Sequence, residues 1–266
     1  MLDIFEYEFM RRAFVVGAFL AIILPCMGLP IVLKRLSMIG DTLSHSSLAG
    51  LTIGLAFGIH PLLSAIIACI IAGLSIEFIR NRLVAYQEIS TVIILAASVG
   101  LAGIFTSLIG NSNSLSSYLF GSIVTISDLE YILVSIISLL VFIIYMFLYK
   151  RIYISVFDPK AAHILGVNTK MINFMITFLS AITISISAKT IGSLIVSSLL
   201  VIPVICSMQF TKTYKNTLIF SIIFSIIFVY SGLIISYIYN LKPGSVIVLV
   251  SVVFLIVSMF ITKNRR

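Results

Sequence analysis

The chain has 266 residues, 61% of them hydrophobic and only 10% charged, with a mean hydropathy of +1.23, which excludes an ordinary soluble domain. The net charge of +8 would point to nucleic acid in a soluble protein. Here the basic residues fall between apolar runs, where membrane orientation accounts for them, and no nucleic-acid partner is expected.

Apolar runs long enough to cross a bilayer, about 20 residues each, recur from end to end and leave no room for a soluble domain. They are continuous and rich in Ile and Leu, unlike the ~10-residue alternating segments of a membrane β-barrel. The expectation is an all-α polytopic transmembrane helical bundle in the lipid bilayer, one domain over 1–266. In chain order the spans fall at about 13–33, 38–58, 62–79, 89–109, 129–148, 171–187, 191–208, 217–239 and 245–261. An eight-span variant has a half-crossing near 38–58 or 188–208. The first run is too long for a signal-peptide core and reads as an uncleaved span. Spans two, six and seven carry small residues and serines, which favours packing against protein or a cavity over lipid.

Nine spans sort the basic residues strongly. Lys34, Arg35, Arg80, Arg82, Lys150, Arg151, Lys160, Lys170, Lys212, Lys215, Lys263, Arg265 and Arg266 fall on one side, 13 of 17, against Arg11, Arg12, Lys189 and Lys242. The positive-inside rule makes the first side cytoplasmic and places the N-terminus outside.

The stretch "GDTLSHSSLAG" (40–50) puts Asp41 and His45 at i and i+4, on one face of a helix in the second span. A carboxylate in hydrocarbon costs at least ~2.5–3.5 kcal/mol and by default faces a water-filled path or a partner. Near Lys34 and Arg35 the cost is eased by snorkelling or capping. Three readings stand side by side on these residues. The pair can offer oxygen and nitrogen ligands to a divalent cation such as Zn²⁺, Mn²⁺ or Fe²⁺. It can also form a hydrogen bond that pins two helices, or relay protons. Two protein ligands would hold an ion loosely, as transport requires, with waters or a second subunit completing the shell.

Other candidates are weaker. His60, at the outer end of the second span, is a possible ligand at the mouth of a path or simply a solvated loop residue. The outer segment 109–128 is polar and free of basic residues, able to cover a pore mouth or meet an external partner. Glu77 and Glu88 pair with Arg80 and Arg82, and Ser193 and Ser197 serve close helix packing. Pro203 kinks its span. Cys26, Cys69 and Cys206 are isolated core hydrophobes, with neither disulfide nor thiolate-metal spacing.

The inner loop "KRIYISVFDPKAAHILGVNTK" carries a short helix: Asp158 as N-cap, Pro159 at the first turn, and Gly166 closing in a left-handed conformation. It either ties two spans together or is offered to a cytoplasmic partner. No phosphate loop, zinc-protease pair or nucleophile elbow occurs, so the chain has no evident catalytic equipment, and ATP-driven work would need another chain.

In order, "VLKRLSMIGDTLSHSSLAGLTIGL", "EISTVIILAASVGLAG", "SSYLFGSIVTIS", "FDPKAAHILGV" and "IGSLIVSSLLVIP" resemble the membrane permease of bacterial metal-ion ABC importers, over nearly the whole chain. The resemblance implies a multi-pass protein of the bacterial cytoplasmic membrane, working as a homodimer with two ATP-binding cassette ATPase subunits and an extracytoplasmic metal-binding protein. It implies that Asp41 and His45 line the translocation path. It also implies that Asp158, Ala161, Ala162 and Gly166 form the ATPase-coupling loop, while His163 and Leu165 stand where relatives often differ. The motif wording is nearer the zinc branch than the manganese and iron branch, so transported Zn²⁺ is expected ahead of Mn²⁺ or Fe²⁺, with no permanently bound cofactor. A proton-coupled secondary transporter and an intramembrane metalloenzyme are the rivals.

Overall fold

The fold is that of a computed structural model, which describes residues 8–83, 87–109 and 127–263. Residues 110–126, nearly all of the polar outer segment, and Arg265 and Arg266 lie outside this set.

Ten helices make up the described residues: α1 (Glu8–Leu33), α2 (Met38–Phe57), α3 (Pro61–Arg82), α4 (Gln87–Ile109), α5 (Asp128–Phe157), α6 (Pro159–Ile164), α7 (Thr169–Ile191), α8 (Ser193–Phe210), α9 (Tyr214–Tyr239) and α10 (Pro243–Lys263). Seven are long and apolar enough to cross a membrane: α1, α3, α4, α5, α7, α9 and α10. The chain is thus an all-α polytopic membrane bundle. The apolar part of α8 is shorter. At 20 residues α2 is about 30 Å long, a bilayer's hydrocarbon thickness, but its polar residues keep it out of the apolar set.

The ends of the bundle follow from its charge contacts. Lys34, just past α1, bonds Ser155 near the end of α5 and Asn173 in the first turns of α7. At the opposite end Arg12 of α1 pairs with Asp128 of α5, and Lys189 of α7 with Glu130 of α5. The basic end therefore gathers Lys34, Arg80 and α6, all placed on one side by the charge count.

The core centres on α1 and α7, whose apolar windows are the most buried of the seven. One group, α2 to α4, packs around α2; another, α8 to α10, closes against α1; and α2 also touches α7 and α8. Gly50 lets α2 approach α3 closely: a Cβ there would stand 2.5 Å from both Ala68 Cβ and the Ser64 carbonyl oxygen. α4 is the least buried of the apolar helices.

Several elements differ from expectation. α5 runs on to Phe157, where a span ending near 148 is predicted, because Lys150 and Arg151 mark the exit from lipid and not the end of the helix. Its capping box of Ser127 and Glu130 fixes the other end. At 30 residues it is about 45 Å long, so it carries α6 beyond the hydrocarbon. α8 continues as a helix through Pro203.

Candidate functional site

Almost every polar side chain of α2 is already used. Thr42 Oγ1 donates to the Met38 carbonyl at 2.9 Å and reaches the Thr91 carbonyl of α4 at 3.2 Å. Ser44 donates to the Gly40 carbonyl at 2.8 Å. Ser46 donates to the Thr42 carbonyl at 2.8 Å and shares a 2.7 Å hydroxyl contact with Ser98 of α4. Ser47 donates to the Ser185 carbonyl of α7 at 3.4 Å, and the Cys69 thiol of α3 donates to the Leu43 carbonyl at 3.1 Å. All of these α2 hydroxyls are buried. They satisfy groups that would otherwise be stranded away from water, and they hold α2 between its neighbours.

Asp41 and His45 are the exceptions. Their side chains remain 37% and 23% exposed, on one face, with His45 Nε2 3.8 Å from Asp41 Oδ1. That is too long for a direct hydrogen bond, so the pinning contact is not formed. Two ligands each about 2.1 Å from one ion stand at most about 4.2 Å apart, and the observed separation lies within that reach. Gly40, beside Asp41, packs against Ser197 of α8, which places that serine in the helix contact. Ser193, one turn earlier at the start of α8, is buried with its hydroxyl lacking a hydrogen-bond partner.

His60 is not brought to this pair. It is exposed and precedes α3 without using its side chain as a cap. The 12 residues of α2 between His45 and Phe57 put it about 18 Å or more along the axis. Among the described residues no group of three or more His, Cys, Asp or Glu gathers as a metal cage, and the three cysteines are buried and free.

The second region is α6. Asp158 Oδ1 accepts from the Lys160 and Ala161 amides at 3.0 and 2.9 Å. Gly166 closes the helix at φ +73°, with Val167 N–H to the Ala162 carbonyl at 2.8 Å and Gly166 N–H to the His163 carbonyl at 3.1 Å, the paired bonds of a Schellman motif. Ala162 is fully buried against the bundle, and Ala161 is half-buried. Ile164 and Leu165 point outward, 85% and 66% exposed, although they lie beyond the reach of lipid. Sequence reasoning had passed over this apolar tip. Its signal was two large apolar residues, Ile164 and Leu165, at the end of a short capped helix outside the apolar spans.

The ABC 3 transport family profile matches residues 6–262. The chain belongs to this family. A "Probable metal transport system membrane protein" of Treponema pallidum is 33% identical over 261 residues, covering 98% of both chains. A high-affinity zinc uptake system membrane protein of Buchnera aphidicola is 33% identical over 246 residues, covering 91% of this chain and 94% of its own. Among solved structures, PsaBC from Streptococcus pneumoniae in complex with Fab superposes with a TM-score of 0.85 at 22% identity, covering 96% of this chain and 92% of that one, which establishes the same fold. This ABC 3 family chain is accordingly a multi-pass permease subunit of an ABC transporter, which sets aside the secondary transporter and the metalloenzyme.

Proposed function

We propose that this ABC 3 family permease imports a divalent transition-metal cation, zinc first, and that Asp41 and His45 are the residues that engage the ion in transit. The observation that carries the assignment is selective. Of the polar side chains in the first two turns of α2, the hydroxyls are spent on packing, while the carboxylate and the imidazole stay open and stand within the span of one ion. The names of the metal-transport and zinc-uptake relatives support the cargo class. Two ligands of borderline hardness suit Zn²⁺, and Mn²⁺ is accommodated by the same pair.

The ATPase-coupling role falls to α6. Its capping by Asp158 and Gly166 makes it a rigid unit, buried Ala162 seats it on the bundle, and Ile164 and Leu165 offer an apolar tip to an ATP-binding cassette subunit. ATP-driven displacement of α6 moves α5 and α7, and the bundle alternates between states of different affinity for the ion, which any net shift requires. An extracytoplasmic metal-binding protein delivers the ion at the opposite end. A second copy of the chain brings its own Asp41 and His45 to complete the shell.

The test is metal uptake in cells whose own importer is deleted. Asp41→Ala and His45→Ala each abolish zinc accumulation, measured together with manganese and iron by elemental analysis, while the variant still co-purifies with its ATPase. Normal accumulation by either variant at normal expression refutes the site.

A further inference from the structure

The turn between α1 and α2 joins the two regions. α1 ends in paired bonds, Leu36 N–H to the Ile31 carbonyl at 2.9 Å and Arg35 N–H to the Val32 carbonyl at 3.0 Å. This is a Schellman closure whose left-handed position, normally glycine, is held by Arg35 at φ +58°. A side chain strains the backbone in that conformation, and such positions persist where the surroundings over-determine them. α2 begins at Met38, so only Lys34 to Ser37 separate the two helices, and little slack lies between the turn and Asp41.

Lys34 supplies the over-determination. Its amino group donates to Ser155 Oγ at 3.3 Å, three residues before Asp158, and to Asn173 Oδ1 on α7. These are the two helices that carry α6. Among the described residues Lys34 forms no salt bridge, the nearby Glu77 carboxylate being paired with Arg80. A cavity of about 310 Å³, lined by Lys34, Arg80, Ser155, Pro159, Thr169 and Asn173 among others, borders the contact and leaves room for these parts to shift against one another.

We infer that Lys34 is the positioning residue that transmits movement of α6 to α2, tying α5 and α7 to the turn that orients Asp41 and His45. This rests on the reading of α6 as the ATPase dock and of Asp41 with His45 as the ion site. When α5 and α7 move with the ATPase, the strained turn moves with them and α2 follows.

The experiment uses the permease with its ATPase and external binding protein in liposomes, measuring Zn²⁺ delivered per ATP hydrolysed. Lys34→Met keeps the aliphatic stem and removes the donor; Asn173→Leu removes one acceptor. Both are expected to lower ions per ATP at least tenfold while hydrolysis stays within twofold, and Lys34→Arg is expected to restore ions per ATP to within threefold of the parent. Unchanged ions per ATP in the two disrupting variants, or uptake and hydrolysis falling in proportion, overturns the inference. Should Lys34→Met not accumulate in membranes, Asn173→Leu decides by the same criterion. A parallel Ile164→Glu arm separates the two claims: retained ATPase association there refutes the docking of α6, whereas loss of association with normal coupling in Lys34→Met refutes the strut alone.

Discussion

Replacing Gly50 by alanine tests whether the close seating of α2 on α3 holds the site in place. The added Cβ would lie 2.5 Å from Ala68 Cβ, 2.5 Å from the Ser64 carbonyl oxygen and 2.8 Å from Ala65 Cα. Two of these neighbours are backbone atoms, so no rotamer change relieves the clash. The helices must part by about 1 Å to restore ordinary contact, and overpacking of this kind costs about 1–3 kcal/mol. At roughly 2–4 °C per kcal/mol for a chain near this size, thermal unfolding in detergent is expected to fall by roughly 2–12 °C. Zinc uptake should fall as well, because α2 carries Asp41 and His45 as it shifts. Ala68→Gly in the same chain rescues only in part, since the Ser64 carbonyl remains. Gly103→Ala is the control: nothing lies within 4 Å of its Cβ position, and the gain in helix propensity makes it neutral or stabilising. A Gly50→Ala midpoint within 1 °C of the parent refutes the packing argument.

Ile164→Glu is expected to leave the melting temperature within about 1 °C, as surface changes usually do, while abolishing co-purification with the ATPase. Gly166→Val forces a β-branched residue to φ +73° and should destabilise α6 by about 1–2 kcal/mol, read as faster proteolysis between α5 and α7. Burial holds the Lys34 amino group down at about 8, with the Arg80 charge adding to the effect and Glu77 opposing it. The unfolded chain keeps that proton to higher pH, so it binds more protons than the folded one between about pH 8 and the ordinary lysine value. The Lys34 contribution therefore makes stability rise with pH across that window, and the rise should be absent from Lys34→Met in denaturant titrations.

Much of this architecture was legible because lipid imposes a simple rule. Apolar runs bounded by basic residues gave the long helices, and Asp158, Pro159 and Gly166 gave α6 with both its caps. The ends were misplaced wherever a helix continues into water, as α5 does past Lys150, since hydropathy records the solvent and not the backbone. The serines of α2 carried an ambiguous message. A hydroxyl in an apolar run fits a wet path or a tertiary bond equally well, and only the positions of Thr91, Ser98 and Ser185 decide between them. Asp41 and His45 stood out from spacing alone. Lys34 did not, because as a sequence feature it is one more boundary lysine, and its partners lie 121 and 139 residues away.

The polar character of α2 also bears on how the chain is made. A translocon sorts segments by apolarity, and Asp41 in the first turn of α2, with His45 and the hydroxyls that follow it, weighs against partitioning. α2 falls short of the apolarity its neighbours have, so its residence in the bilayer is secured by α3, α4, α7 and α8, all of them synthesised after it. A nascent chain stopped beyond Phe57 would leave this segment unanchored, and the ion-handling helix takes up its station only when later helices arrive to enclose it.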